Sequence, residues 1–205
     1  MTLRPSPVPD AGLRGRWDVE LQGGERMKIE VCADSEAVAR SAAALIAGEA
    51  RAAVSARGRF LLAVSGGHTP WRMLQALARE DVPWTDVHVC QVDERVAPHG
   101  HPDRNLTHVR ECLLQHAPVN PGQLHAMPVE EEDLAAAASR YARTLQDLCG
   151  VPPILDLAQL GLGSDGHTDS LVPVDAALDV TDADVAPTGV YQGRRRMTLT
   201  YPILN

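Results

Sequence analysis

Residues 60–70 read Phe60-Leu61-Leu62-Ala63-Val64-Ser65-Gly66-Gly67-His68-Thr69-Pro70. Five consecutive apolar residues are the pattern of a strand buried on both faces. Ser65-Gly66-Gly67 breaks that run, and Thr69 followed by Pro70 has the pattern of an N-cap and a first helical residue. Trp71, Leu74, Leu77 and Ala78 share one face of the helix this predicts.

Working outward, the same alternation recurs. Residues 28–33 read as a short strand, and Asp34 or Ser35 caps an alanine-rich helix over about 36–55. Residues 87–92 form the next predicted strand, followed by a loop over 93–104 and a helix over 105–116. A short strand at 124–127 leads to a long helix over 130–149, which Gly150 stops. Residues 154–160 are again an apolar strand, residues 173–189 are irregular, and residues 196–201 alternate as a strand before the helix-like start Pro202-Ile203-Leu204-Asn205. Strands alternating with helices predict an α/β fold, a mainly parallel sheet flanked by helices in the Rossmann-like manner. Residues 1–26, with Pro5, Pro7, Pro9 and four glycines, read as a flexible leader, so the domain is expected to occupy 27–205.

Composition excludes several functions. A formal net charge of −8, with Arg194-Arg195-Arg196 the only basic cluster, does not suit a nucleic-acid binder. Lys28 is the only lysine and opens a predicted strand, which argues against Schiff-base chemistry. The cysteines Cys32, Cys90, Cys112 and Cys149 form neither a zinc pattern nor a disulfide ladder. No run is long and apolar enough for a membrane span, and the first 25 residues have no apolar signal core, so a cytoplasmic chain is expected.

Three loops at strand ends carry the chemistry. Ser65-Gly66-Gly67-His68 is either a phosphate cradle, since glycines and unpaired amides at a helix start favour an anion, or a tight turn. Asp93-Glu94-Arg95 follows the strand at 87–92, and Arg95 there is either a bidentate anion ligand or part of an internal charge cluster. Gly161-Leu162-Gly163-Ser164-Asp165-Gly166-His167-Thr168 sets one imidazole among three glycines. A neutral imidazole takes a proton from water, and Asp165 either orients that ring or holds the loop through its own backbone. The loop also matches G-x-G-x-x-G, but Pro173 follows too soon for the helix that a dinucleotide site requires. His99, His101 and His108 do not have a common zinc spacing, so no metal is expected.

Together these stretches resemble the 6-phosphogluconolactonase family, whose fold is shared with glucosamine-6-phosphate deaminases and ribose-5-phosphate isomerases. The matching segments are residues 62–70, Val92-Asp93-Glu94-Arg95 with His101-Pro102-Asp103 and Asn105, residues 160–168, and the tail from Met197 to Asn205. The resemblance implies hydrolysis of 6-phospho-D-glucono-1,5-lactone in the oxidative pentose phosphate pathway. In it His167, beside Asp165, is the general base activating water. Arg95 and the amides of Ser65, Gly66 and Gly67 hold the phosphate, and Asp93, Asn105, Gly163 and Thr168 complete the pocket. It implies no metal or organic cofactor. A sugar-phosphate lactone is the expected partner, with no nucleic acid, no membrane and a monomeric state.

The deaminase branch tends to carry Tyr where this chain has Arg95, and continues its His loop towards Ala-Phe-Asn-Glu, where this chain reads Thr168-Asp169-Ser170-Leu171. Two residues depart from the lactonase pattern: Arg104 stands where a small Ser is usual, and Asp169 where a small Ala is usual. The family pattern also continues beyond the equivalent of Asn205 into a helix, a strand and a basic phosphate ligand, so the domain reads as truncated at its C-terminus. The alternatives are an amino-sugar-phosphate deaminase or isomerase, and a catalytically silent sugar-phosphate binder.

Overall fold

A computed structural model describes residues 15–20 and 26–205. Its centre is a four-stranded parallel sheet made of β3 (Phe60–Val64), β4 (Val87–Gln91), β6 (Leu124–His125) and β7 (Leu157–Gln159), in the order β6-β4-β3-β7. The five-residue apolar run is β3, and every residue of it is buried. Phe60, Leu62 and Val64 enter one core and Leu61 and Ala63 the other, as the two-residue period of a strand requires.

Helices α1 (Ser35–Arg57) and α2 (His68–Leu77) cover the first face. Asp34 Oδ1 accepts from the Ala37 amide at 2.7 Å and so caps α1. Ala39, Ala43, Ala47 and Ala50 recur at spacings of four, four and three and are fully buried. Such a stripe of small side chains lets α1 lie close against its neighbours, which explains a core poor in aromatic residues. Helix α4 (Leu134–Cys149) covers the second face, capped by Asp133 and ended by Gly150 at φ 93°. Tyr141 from α4 crosses to the sheet, its hydroxyl accepting from the Gln91 amide at 2.8 Å.

Four features differ from the sequence expectation. Strand β1 (Gly15–Glu20) pairs antiparallel with β2 (Arg26–Val31), inside the segment read as a leader; the rest of that leader lies outside the described residues. Helix α2 begins at His68 with Gly67 as its cap at φ 120°, so Thr69 already lies within the first turn. Residues 93–95, read as loop, form strand β5 (Asp93–Arg95), which joins β8 (Val185–Pro187) and β9 (Arg196–Leu199) in an antiparallel sheet of order β5-β9-β8. The chain passes from one sheet to the other at Val92, whose amide donates to Val64 O and whose carbonyl accepts from the Leu199 amide. The helix expected over 105–116 is α3 (Asn105–Val109) continued by a π-helical turn, Arg110–Leu114. The chain runs into a last turn, α5 (Tyr201–Leu204), whose Ile203 is buried.

Glu94 ties β5 to α3. It is fully buried, and its carboxylate accepts from the amides of Arg95, Asn105 and Leu106 and from Gln91 Nε2 at 2.7–2.9 Å. Arg104 supplies the countercharge: its Nε lies 3.0 Å from Glu94 Oε2, not aligned for a hydrogen bond, while Nη1 donates to Ala97 O and Glu130. Arg104 therefore holds the turn before α3 and does not line the pocket described below. Removing Glu94 takes away one of the two acids beside Arg104 and leaves four donors without their acceptor, and breaking a buried ion pair costs about 3–5 kcal/mol. Glu94→Ala should lower the unfolding free energy by that order in chemical denaturation; a loss below about 1 kcal/mol would show that Glu94 does not organise this turn.

Candidate active site

The carboxyl ends of β3, β4 and β7 deliver Ser65-Gly66-Gly67, Asp93-Glu94-Arg95 and the His167 loop to one end of the sheet, where open α/β folds place their ligands. A pocket of about 150 Å³ forms there, lined in part by Ser65, Gly66, Asp93, Arg95, Asn105, Gly163, His167, Asp169, Tyr191 and Arg196. Seven of these were expected from the sequence. Gly67 instead lines an adjoining, more apolar cavity of about 420 Å³ beside α1 and α2. Thr168 is turned into the loop, where its hydroxyl oxygen lies 2.8 Å from Gly161 O and 3.0 Å from Asp169 Oδ2.

Asp93 joins the three loops. Its Oδ1 accepts from Ser65 Oγ (3.1 Å) and Asn105 Nδ2 (2.9 Å), and its Oδ2 from Ser170 Oγ (2.6 Å). Two glycines are required by close approach. A Cβ on Gly66 would lie 1.9 Å from Asn105 Oδ1, and one on Gly163 would lie 2.2 Å from His167 Cε1. The first allows Asn105 to reach across to Asp93; the second seats the imidazole on the loop backbone.

His167 Nδ1 hydrogen-bonds Asp165 Oδ1, so the ring is oriented by that carboxylate. With Nδ1 donating, Nε2 carries the lone pair. Asp165 is held below the ordinary carboxylate range, chiefly by the His167 hydrogen bond, with further help from the Tyr191 hydroxyl at 3.1 Å.

Two guanidinium groups face the pocket from neighbouring strands, Arg95 and Arg196, which are register partners. Arg95 Nη1 donates to Asn105 Oδ1 (2.7 Å) and Asp103 O (3.1 Å), leaving Nε and Nη2 without a partner among the described residues. Arg196 is 4% exposed, and among the described residues its one side-chain hydrogen bond runs to Ser170 Oγ at 3.3 Å. Its Nε is buried without a partner, and no carboxylate lies within ion-pair distance among the described residues. Burial and the nearby Arg95 both lower its pKa. A buried cation without a countercharge is costly, so this pair of arginines suits an anion. The Ser65 amide is no part of that anion site, because it donates to Gln159 Oε1 at 3.1 Å. The amides of Gly66 and Gly67 make no hydrogen bond among the described residues.

Arg196, Tyr191 and Ser170 were missed by the sequence reading. Arg196 and Thr198 alternate with apolar Met197 and Leu199, a visible signal that Arg196 faces away from the core, but not that it faces this pocket. Asp169, noted as unusual, bonds not to His167 but to the Gly161 amide (3.2 Å) and Thr168. No group of three or more His, Cys, Asp or Glu among the described residues could hold a metal.

The chain is similar to known proteins in sequence and in fold. The model of the glucosamine-6-phosphate isomerases/6-phosphogluconolactonase family matches residues 33–205. The chain belongs to this family. A 6-phosphogluconolactonase of Nostoc sp. is 35% identical over 181 residues, which cover 86% of this chain and 75% of that protein. The crystal structure of a 6-phosphogluconolactonase from Shewanella baltica superposes with a TM-score of 0.70 at 30% identity, covering 84% of this chain and 74% of that one. A monomeric glucosamine-6-phosphate deaminase shares the fold alone, with a TM-score of 0.68 at 17% identity over 82% of this chain and 74% of its own.

Burial, followed by the charge of Asp93, raises the Asp169 pKa to about 6. Across the pocket it faces Arg95 and Arg196, and His167 lies on its own loop. An acid whose folded pKa is raised favours the fold when neutral, and that advantage is lost as pH rises through the folded value. Asp169→Asn should therefore gain stability relative to the native chain between about pH 4 and 7, levelling above that at roughly 1–3 kcal/mol. Denaturation midpoints of both proteins across this range check it; a difference that does not vary with pH would refute it.

Proposed function

We propose that the chain hydrolyses 6-phospho-D-glucono-1,5-lactone to 6-phospho-D-gluconate, a step of the oxidative pentose phosphate pathway, in the cytoplasm and as a monomer. The observation that carries this reading is the imidazole of His167, oriented through Nδ1 by Asp165 and opening on a pocket with two arginines that have no carboxylate partner to match them. Membership of a family that includes lactonases supports it.

In this reading His167 Nε2 takes a proton from water as the oxygen attacks the lactone carbonyl. The tetrahedral intermediate collapses with cleavage of the bond from C1 to the ring oxygen, and the imidazolium returns its proton to that oxygen. The product is a carboxylic acid that ionises at neutral pH, so one proton is released per turnover. Arg95, with Nε and Nη2 unused, binds the substrate phosphate, and the amides of Gly66 and Gly67 add donors at the start of α2. Asp93 and Asn105 hold the loops in register around it.

The test is proton release from freshly prepared 6-phosphogluconolactone, corrected for spontaneous hydrolysis. Ammonia release from glucosamine 6-phosphate without lactone hydrolysis would overturn the assignment in favour of a deaminase, and binding without turnover would mark a silent binder. His167→Ala should lower turnover by about 10²–10⁴-fold with an unchanged circular dichroism spectrum; near-native turnover would remove His167 from its role. Arg95→Ala should weaken 6-phosphogluconate binding by about 1.5–3 kcal/mol and gluconate binding much less, measured by calorimetry. Equal losses would show that Arg95 does not meet the phosphate.

A further inference from the structure

Tyr191 begins a tight hairpin that the sequence reading passed over. Its amide donates to Arg194 O at 2.9 Å, and the Arg194 amide returns a bond to Tyr191 O at 3.2 Å. The two residues between, Gln192 and Gly193, have φ of 51° and 78°. Positive φ at both central positions is the turn whose twist suits a two-residue hairpin. The far side of the hairpin is anchored, since Arg194 Nε and Nη2 lie 2.9 and 2.8 Å from Asp103 Oδ2, and the chain then enters β9. The place of Tyr191 is thus set by backbone and by an ion pair, not by the side chain alone.

From that place the side chain makes three contacts. Its hydroxyl donates to Asp165 Oδ2 at 3.1 Å, while Asp165 Oδ1 takes His167 Nδ1. Its ring meets the imidazole edge-on, with centroids 5.4 Å apart and planes at 73°. The Arg196 guanidinium carbon stands 5.1 Å from the centre of the same ring.

We infer that Tyr191 is a positioning residue for the base, clamping the Asp165–His167 pair through its hydroxyl and ring so that Nε2 of His167 stays turned into the pocket. The inference rests on the reading of His167 as the base. The need for a clamp is physical. The Asp165 side chain is 37% exposed and sits in a glycine-rich loop, so water competes for its oxygens and the loop alone holds it weakly. A second donor on the other carboxylate oxygen fixes the plane of the carboxylate, and with it the direction of the Nδ1 hydrogen bond. The edge-on ring contact blocks the imidazole from swinging out of the pocket. Because the Arg196 guanidinium lies over the same ring, the base and the anion site share one wall.

The experiment compares the native chain with Tyr191→Phe and Tyr191→Ala. Tyr191→Phe should lower kcat on the lactone by about 2–10-fold with little change in KM. Tyr191→Ala, lacking the ring as well, should lose more, so that Phe partly rescues Ala. A readout independent of turnover is the proton NMR signal of the His167 Nδ1–H, assigned by its loss in His167→Gln. That proton should exchange faster with water in Tyr191→Phe and faster still in Tyr191→Ala. Unchanged kcat and exchange in Tyr191→Phe would overturn the positioning role while leaving lactone hydrolysis standing. A raised KM at constant kcat would also overturn it, by making Tyr191 a substrate ligand. If the native chain does not hydrolyse the lactone, the proposed function fails by itself, and the exchange rates alone decide whether Tyr191 clamps the pair.

Discussion

The carboxylate of Asp93 is the junction on which the pocket depends. It is 3% exposed and accepts hydrogen bonds from Ser65, Asn105 and Ser170, residues that follow β3, open α3 and follow the His167 loop. Three segments far apart in sequence are thereby held to one point. A buried carboxylate is tolerated only when such donors replace its water. Asp93 opens β5 one residue after Val92, where the chain leaves the parallel sheet for the antiparallel one, so the junction lies at the seam between the two sheets. One residue further on, Glu94 repeats the device with Arg104 and the first amides of α3. Two adjacent buried acids thus serve different sides: Asp93 gathers the loops, and Glu94 holds the helix that delivers Asn105.

The charge balance inside the pocket follows from that architecture. Asp93 has its oxygens occupied by neutral donors and makes no direct ion pair with either arginine among the described residues, although its charge acts on Arg196. Arg196 reaches it only through Ser170, and Arg95 leans on the amide oxygen of Asn105. Positive charge is therefore left over on the side of the pocket formed by β5 and β9. Asp169 also lines the pocket, at φ 51° with bonds to Gly161 and Thr168, and its raised pKa reflects burial beside Asp93. An anionic ligand thus meets a wall of two arginines.

Local pattern made much of this legible. The five apolar residues of β3, the caps at Asp34 and Gly150, and the alanine stripe of α1 are signals carried by neighbours in the chain, and the elements they predict are present. The two glycine loops were also readable, because close approach demands glycine at Gly66 and Gly163 whatever the ligand. Residues 93–95 and 185–187 were not readable as strands. Each is three residues long, too short to show a period, and each is a strand only because β9 pairs with it. The same holds for Tyr191, whose hairpin is two residues wide and whose contacts lie on a loop 26 positions earlier.

The sequence by itself determined the alternating α/β order, the parallel core and the identity of the loops that meet at its carboxyl ends, since all of these follow from short-range periodicity and from where glycine is indispensable. Only the tertiary structure decided which polar groups are spent on architecture and which are left to face a ligand. Glu94 and Arg104, written as charges beside a motif, are consumed by each other and by helix amides; Arg196, written as one of three arginines in a row, is the one buried against the pocket without a countercharge. That division depends on pairing across dozens of residues, and a hydrogen-bond donor carries no mark in the sequence of whether its partner is already present in the fold.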